Sequence, residues 1–161
     1  MADSELKQRA GEYFRRAYEH HEKGEYEDAV ELYSQSIEAF PTAEAYTFRG
    51  WAYSFQGNYV QAIADCKKAI KLDPDFGNPY NDVGAYLIQE NQWDAAIPWF
   101  EKALAAPRYD SYFFPHFNLG RVYEHRREWG KARKHYLQAL QLNREYRLAY
   151  RALRRLQAMW S

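Results

Sequence analysis

Four stretches of this chain repeat one another. Aligned on Ala29, Ala62, Ala96 and Ala132, they read GEYEDAVELYSQSIEAFP, GNYVQAIADCKKAIKLDP, NQWDAAIPWFEKALAAP and REWGKARKHYLQALQLNR, with offsets of 33, 34 and 36 residues. A period in this range means stacked supersecondary units, none of which buries its apolar face alone. Three residues before the alanines stand Tyr26, Tyr59, Trp93 and Trp129; four after stand Tyr33, Cys66, Phe100 and Tyr136; seven after stand Ser36, Ala69, Ala103 and Ala139. Offsets of three, four and seven share one helix face.

A second helical pattern precedes each of these. Ala17, Gly50, Gly84 and Gly120 follow Tyr13, Tyr46, Tyr80 and His116 by four residues and lead His20, Tyr53, Leu87 and Tyr123 by three. Gly inside a helix costs about 1 kcal/mol relative to Ala, so glycines at three equivalent places predict a contact with no room for a Cβ. The expected contact sets small residues of one helix against small residues of its antiparallel partner, with aromatics filling the flanks.

Prolines mark the boundaries. Pro41 and Pro74 end the second helix of the first two units, because the residue before a proline avoids helical geometry. Asn78 and Pro79 are expected as cap and first residue of a helix, with Pro115 at the matching place one unit later. Pro98, inside DAAIPWF, is expected in a first turn capped by Asp94, where amide protons lack partners anyway. Residues 146–160, YRLAYRALRRLQAMW, form one more amphipathic helix with Tyr146, Ala149, Tyr150, Leu153, Leu156 and Trp160 inward. A solenoid's last face needs a cover, so this helix is expected to be a cap.

The two patterns together resemble the tetratricopeptide repeat, best in YTFRGWAY with GNYVQAIADCKKAIKLDP and in HFNLGRVY with EWGKARKHYLQAL. The resemblance implies an all-α, right-handed solenoid of four helix-turn-helix units, 10–42, 43–76, 77–110 and 113–145, closed by the capping helix in a single domain over 1–161. Arg16 and Arg49 stand where an apolar residue is usual, and two extra residues near APRYDSYFF bear on the stacking between units three and four.

No residue constellation points to catalysis, so the chain is expected to be non-enzymatic. The histidines show no metal-ligand spacing, and the single Cys66 aligns with core aromatics and is expected as a core filler. His20 and His116 fall on core-facing positions. No cofactor and no metal are expected. One cysteine, no apolar leader in MADSELKQRAGEYF and no membrane-length apolar run predict a cytoplasmic protein that does not engage membranes.

A stacked helical solenoid offers a concave face lined by the first helix of each unit, hence a protein or peptide partner. The expected groove residues are Phe14, Arg15, Tyr18 and His21 in unit one and Thr47, Phe48, Trp51 and Phe55 in unit two. Unit three adds Asn81, Asp82, Ala85 and Gln89, and unit four Phe117, Asn118, Arg121 and His125. Off-core aromatics predict a partner with an apolar anchor, seated in a shallow pocket where Ala85 lies beside Trp51. Asn81 and Asn118 are each expected to hold a peptide group. The alternative is that the C-terminal helix folds back and fills this groove.

Chaperone-docking members of the family clamp a C-terminal carboxylate with Lys, Arg and Asn. The places implied by the resemblance hold Phe14, Tyr18, Phe48, Asn78 and Asp82 in one frame and Thr47, Trp51, Asp82, Phe114 and Asn118 in the next. Neither frame has a cation, so an acidic chaperone tail is not expected.

Zero net charge hides a gradient: residues 1–100 hold 9 Lys/Arg against 17 Asp/Glu, and residues 121–161 hold 11 against 3. The basic end comprises Arg126, Arg127, Arg133, Lys134, Arg147, Arg151, Arg154 and Arg155. It raises two alternatives to a peptide groove. One is weak head-to-tail self-association of a scaffold through opposite ends; the other, disfavoured because no reading module is present, is nucleic-acid binding.

Overall fold

The computed structural model describes residues 2–160, which form nine α-helices among the described residues. They are α1 (Asp3–Glu22), α2 (Tyr26–Ala39), α3 (Ala43–Phe55), α4 (Tyr59–Leu72), α5 (Asn78–Gln89), α6 (Trp93–Ala105), α7 (Phe113–His125), α8 (Trp129–Leu142) and α9 (Arg147–Ala158). Each odd helix packs on the even helix after it, and each pair stacks on the next. In addition α3 touches α5 and α5 touches α7, so the odd helices make the inner layer of a solenoid.

The turn inside each pair is the same. Gly24, Gly57, Asn91 and Arg127 all adopt positive φ, from 61° to 77°. The amide that follows each donates five residues back, as Asn58 does to Tyr53 and Gln92 to Leu87, which closes the helix end. Glycine accepts this conformation freely. Because this turn fixes where the second helix starts, α6 begins at Trp93 with Gln92 as its cap residue. Pro98 therefore sits inside the helix and not in a first turn capped by Asp94. Its ring points to solvent. Asn78 likewise is the first helical residue of α5 and not its cap, which is Gly77.

The small residues do allow close approach, but against rings. A Cβ on Gly84 would overlap the Phe100 ring, and one on Gly120 the Tyr136 ring. In the second pair the ring is replaced by Cys66, and there the backbones close up: a Cβ on Gly50 would lie 2.9 Å from the Ala62 carbonyl oxygen. Burial pushes the Cys66 thiol well above its ordinary range, so it stays a neutral filler.

Arg49, out of place in the repeat pattern, makes a two-pronged ion pair with buried Asp65, with Nε and Nη2 each 2.8 Å from a carboxylate oxygen. Its remaining arm reaches Ser34 at 3.1 Å, tying α2, α3 and α4 together. The extra residues before α7 fold back on the α4–α5 connection. Arg108 exchanges backbone hydrogen bonds with Asp75 and Gly77, and its guanidinium meets Asp73 at 2.6 Å and Glu44 at 3.0 Å.

Helix α9 covers α8 with Ala149, Ala152 and Leu156. Tyr150 and Trp160, expected inward, are exposed, Trp160 by 60%. Among the described residues the helix packs mainly on α8 and reaches α7 through Arg155 and Glu124, so one narrow stripe suffices. His20, expected in the core, is only half-buried and lies 3.0 Å from Glu25. The buried histidine is His21, whose Nδ1 pairs with the Tyr33 hydroxyl at 3.2 Å.

Candidate functional site

The inner face carries a recess of about 500 Å³ bounded by all four inner helices. Tyr18 of α1 and Phe48 and Trp51 of α3 form one wall, Asn78, Asn81 and Asp82 of α5 the floor, and Phe114 of α7 the other wall. Tyr109, from the connection before α7, closes its edge. No residue of α9 lines this recess, so the groove is not filled by the C-terminal helix.

A lattice of rings holds the apolar wall in place. Phe14 packs edge-on against Tyr33 and Phe48, with centroids 5.4 and 5.2 Å apart. Trp51 lies 4.1 Å from the buried His21 ring. Burial lowers the His21 pKa, which keeps the imidazole neutral beneath the indole. Supported in this way, Trp51 still leaves 37% of its surface to solvent.

The floor is a polar ladder. Arg121 donates to the Asn118 Oδ1 at 3.2 Å, and Asn118 donates to the Asn81 Oδ1 at 3.1 Å. Both asparagines are buried and share one hydrogen bond, which takes up the Asn81 Oδ1. Asn81 lines the recess and Asn118 does not. Burial pushes the Asp82 carboxyl up to about 7, and its hydrogen bond with Asn81 pulls it back only in part.

That carboxyl makes stability pH-dependent in a direction fixed by the sign of its shift. Between the ordinary carboxylate range and pH 7 the unfolded chain loses this proton and the folded chain keeps it. Stability therefore falls as pH rises through this window, and the full penalty remains above it. His135 works the other way: burial lowers its pKa to about 4, so acid favours the unfolded state. A comparison of Asp82→Asn with the parent chain separates the two. The variant should be more stable by about 1–4 kcal/mol at pH 8 and nearly equal at pH 4. Urea melts at both values check this, and an unstabilised variant at pH 8 would contradict it.

Other expected groove residues lie elsewhere. Arg15 is exposed and turned to Glu19 at 2.8 Å. Phe55 stacks flat on Tyr26 at 4.7 Å, beyond the recess. Ala85 is half-buried and does not line the recess; Asn78, Asn81 and Asp82, one to two turns earlier on α5, do. Phe117 and Arg121 border a second recess, between α7 and α9.

The basic end is not one face. Arg155 forks onto Glu124 at 3.0 and 2.7 Å, and Arg126 meets Glu128 at 3.1 Å and Asp94 at 3.5 Å. Arg151 and Arg155 border the second recess. Arg127, Arg133, Lys134, Arg147 and Arg154 are exposed on the turn before α8, on α8 and on α9. At the opposite end, one ligand atom each from His20, Glu25 and Asp28 gathers within 4.8 Å, an exposed cluster that could admit a cation. No helix among the described residues is long and apolar enough to cross a membrane.

The tetratricopeptide repeat family matches at residues 10–42, 43–76 and 113–146. The chain is a tetratricopeptide repeat protein. The helix pair α5–α6, between the matched segments, repeats the architecture with an Asn in place of the turn glycine and a proline inside its second helix. Among curated proteins, this repeat protein is 41% identical over 90 residues to the rice protein SGT1 homolog, covering 55% of this chain and 24% of that one. It is 32% identical over 96 residues to Hsp70-Hsp90 organizing protein 3 of Arabidopsis thaliana, covering 55% and 17%. The chain thus spans about a quarter or less of the length of these relatives.

Among solved structures, pilF of Pseudomonas aeruginosa superposes with a TM-score of 0.88 at 18% identity, over 96% of this chain and 70% of that one. The first TPR of Spaghetti (RPAP3), bound to the HSP90 peptide SRMEEVD, superposes with a TM-score of 0.67 at 24% identity, over 74% and 94%. These two likenesses establish the solenoid fold. The tetratricopeptide repeats support a protein-interaction module.

Proposed function

We propose that residues 1–161 act as one non-enzymatic, tetratricopeptide-repeat interaction domain, which holds a peptide segment of a partner protein by an apolar anchor in the Trp51 recess. The observation that carries this reading is the set of Tyr18, Trp51 and Phe114, each more than a third exposed around one concavity. Aromatic rings in that position remain poorly solvated until something covers them. The polar groups of the floor, Asn78 and Asp82, can fix the register of a backbone beside the anchor.

The lining contains one carboxyl and no Lys or Arg. An acidic C-terminus entering there would meet Asp82 without a compensating cation, which costs desolvation with nothing gained. The partner of this recess is accordingly neutral and apolar.

Trp51→Ala with Phe114→Ala is the decisive variant, because Phe48 is tied into the ring lattice and its loss would also cost stability. Peptides selected on the parent chain from a displayed random library should bind the double variant about a hundredfold or more weakly, since buried aromatic anchors are worth about 2 kcal/mol or more each. Helicity should be retained. Undiminished binding, or a variant that unfolds, overturns the assignment.

A further inference from the structure

The second recess, between α7 and α9, has a volume of about 510 Å³ and a different chemistry. Phe117, Leu148 and Met159 supply apolar walls, and Arg121, Arg151 and Arg155 supply charge. Helix α7 borders both recesses, Phe114 facing the first and Phe117, one turn on, the second. A segment lying along the inner face would cross from one to the other.

The cations there are unequally engaged. Glu124, the only carboxylate in the lining, already accepts both prongs of Arg155 and the Tyr136 hydroxyl at 3.0 Å. Arg155 is therefore neutralised within the chain. Arg121 is half-buried, with a neutral amide oxygen as its hydrogen-bond partner and the Trp93 ring 5.9 Å away. Arg151 makes no ion pair among the described residues. A guanidinium partly withdrawn from water with no anion is poorly compensated, and its planar fork matches a carboxylate.

Building on the apolar-anchor reading, we propose that the α7–α9 recess holds an acidic stretch of the same partner segment, its carboxylates on Arg121 and Arg151 and its stems against Leu148 and Met159. Charge complementarity selects a peptide over a nucleic acid. Two disengaged cations line the recess, whereas a nucleic-acid site typically neutralises about 6–10 phosphates. Arg133, Lys134, Arg147 and Arg154 are not part of this lining.

Fluorescence anisotropy on the 161-residue chain tests this with a labelled synthetic peptide pairing a Trp anchor with a run of Glu, its counterparts with Gln or Lys in that run, and oligothymidylate. The Glu peptide should bind about tenfold more tightly than the Gln peptide at low salt, as expected from two partly exposed ion pairs, and the ratio should shrink as salt rises. Arg121→Gln with Arg151→Gln should bring the ratio to one. Arg151→Gln alone, which removes no internal hydrogen bond, should reduce it about threefold with helicity intact. Trp51→Ala with Phe114→Ala should weaken all the peptides together and leave the ratio standing, so the two recesses fail separately. A ratio of one in the parent chain, or a ratio unmoved by the arginine variants, overturns the proposal. Oligothymidylate binding more tightly than the Glu peptide, and dependent on these arginines, would make the recess a phosphate site. No binding of any peptide to the parent chain overturns the groove reading and this one with it.

Discussion

Replacing Gly84 with Leu should destabilise the protein by about 3 kcal/mol or more, at or above the top of the usual overpacking range. The reason is geometric. The new Cβ would fall on the Phe100 ring, and a Cβ cannot rotate away as a side-chain tip can. The ring cannot yield either, being fully buried among Ile88, Ala96, Leu119 and Val122. Helices α5 and α6 must therefore separate, which also loosens the packing of α7. Phe100→Leu in the same chain should restore part of the loss, because a smaller side chain makes room. Gly11 has nothing near its missing Cβ, so Gly11→Ala should raise stability, by up to about 1 kcal/mol. Urea melts followed by far-ultraviolet circular dichroism measure all of these, and an unchanged midpoint in Gly84→Leu would contradict the packing described.

Replacing Arg49 with Met should cost about 3–5 kcal/mol, the loss expected when one partner of a buried pair is removed. Asp65 is only 3% exposed and would be left without the guanidinium that fills both of its oxygens. Most of the loss is the penalty of stranding that charge and not the worth of the bridge. It follows that Arg49→Met with Asp65→Leu should recover most of the stability. A double-mutant cycle reads the coupling directly. A single-variant loss below about 1 kcal/mol would rank the pair with surface bridges.

The architecture was legible because it is written in local terms. Period, helical offsets and turn positions depend on neighbours within one unit, and stacking such units buries a continuous core whatever the partner. Tyr33, Phe100, Tyr136 and Cys66, read from one column of the repeat, are all fully buried. Tyr18, Phe48, Trp51, Asn81 and Asp82, read from a neighbouring stripe, do meet in one recess. Asn78 and Phe114 were within reach of the same reading, since they lie one turn before Asn81 and Phe117 on the stripe already drawn.

What the repeat cannot express is how each unit turns relative to the last. The recess takes a late residue of α1, the middle of α3, an earlier part of α5 and the first turn of α7. It therefore runs obliquely across the columns, and Ala85 and Phe55, correct by alignment, fall outside it. Tyr109 belongs to no helical period and reaches the groove because Arg108 pins its loop to Asp73, Asp75 and Glu44. The pairing of Arg49 with Asp65, of Arg155 with Glu124, and of Asn118 with Asn81 is likewise tertiary: each joins groups 16 or more residues apart. One sequence thus determines, by itself, that helices stack and which faces they bury. Which exposed groups remain unengaged, and so which chemistry the inner face offers a partner, was decided only when the stacked units brought those groups within hydrogen-bond reach.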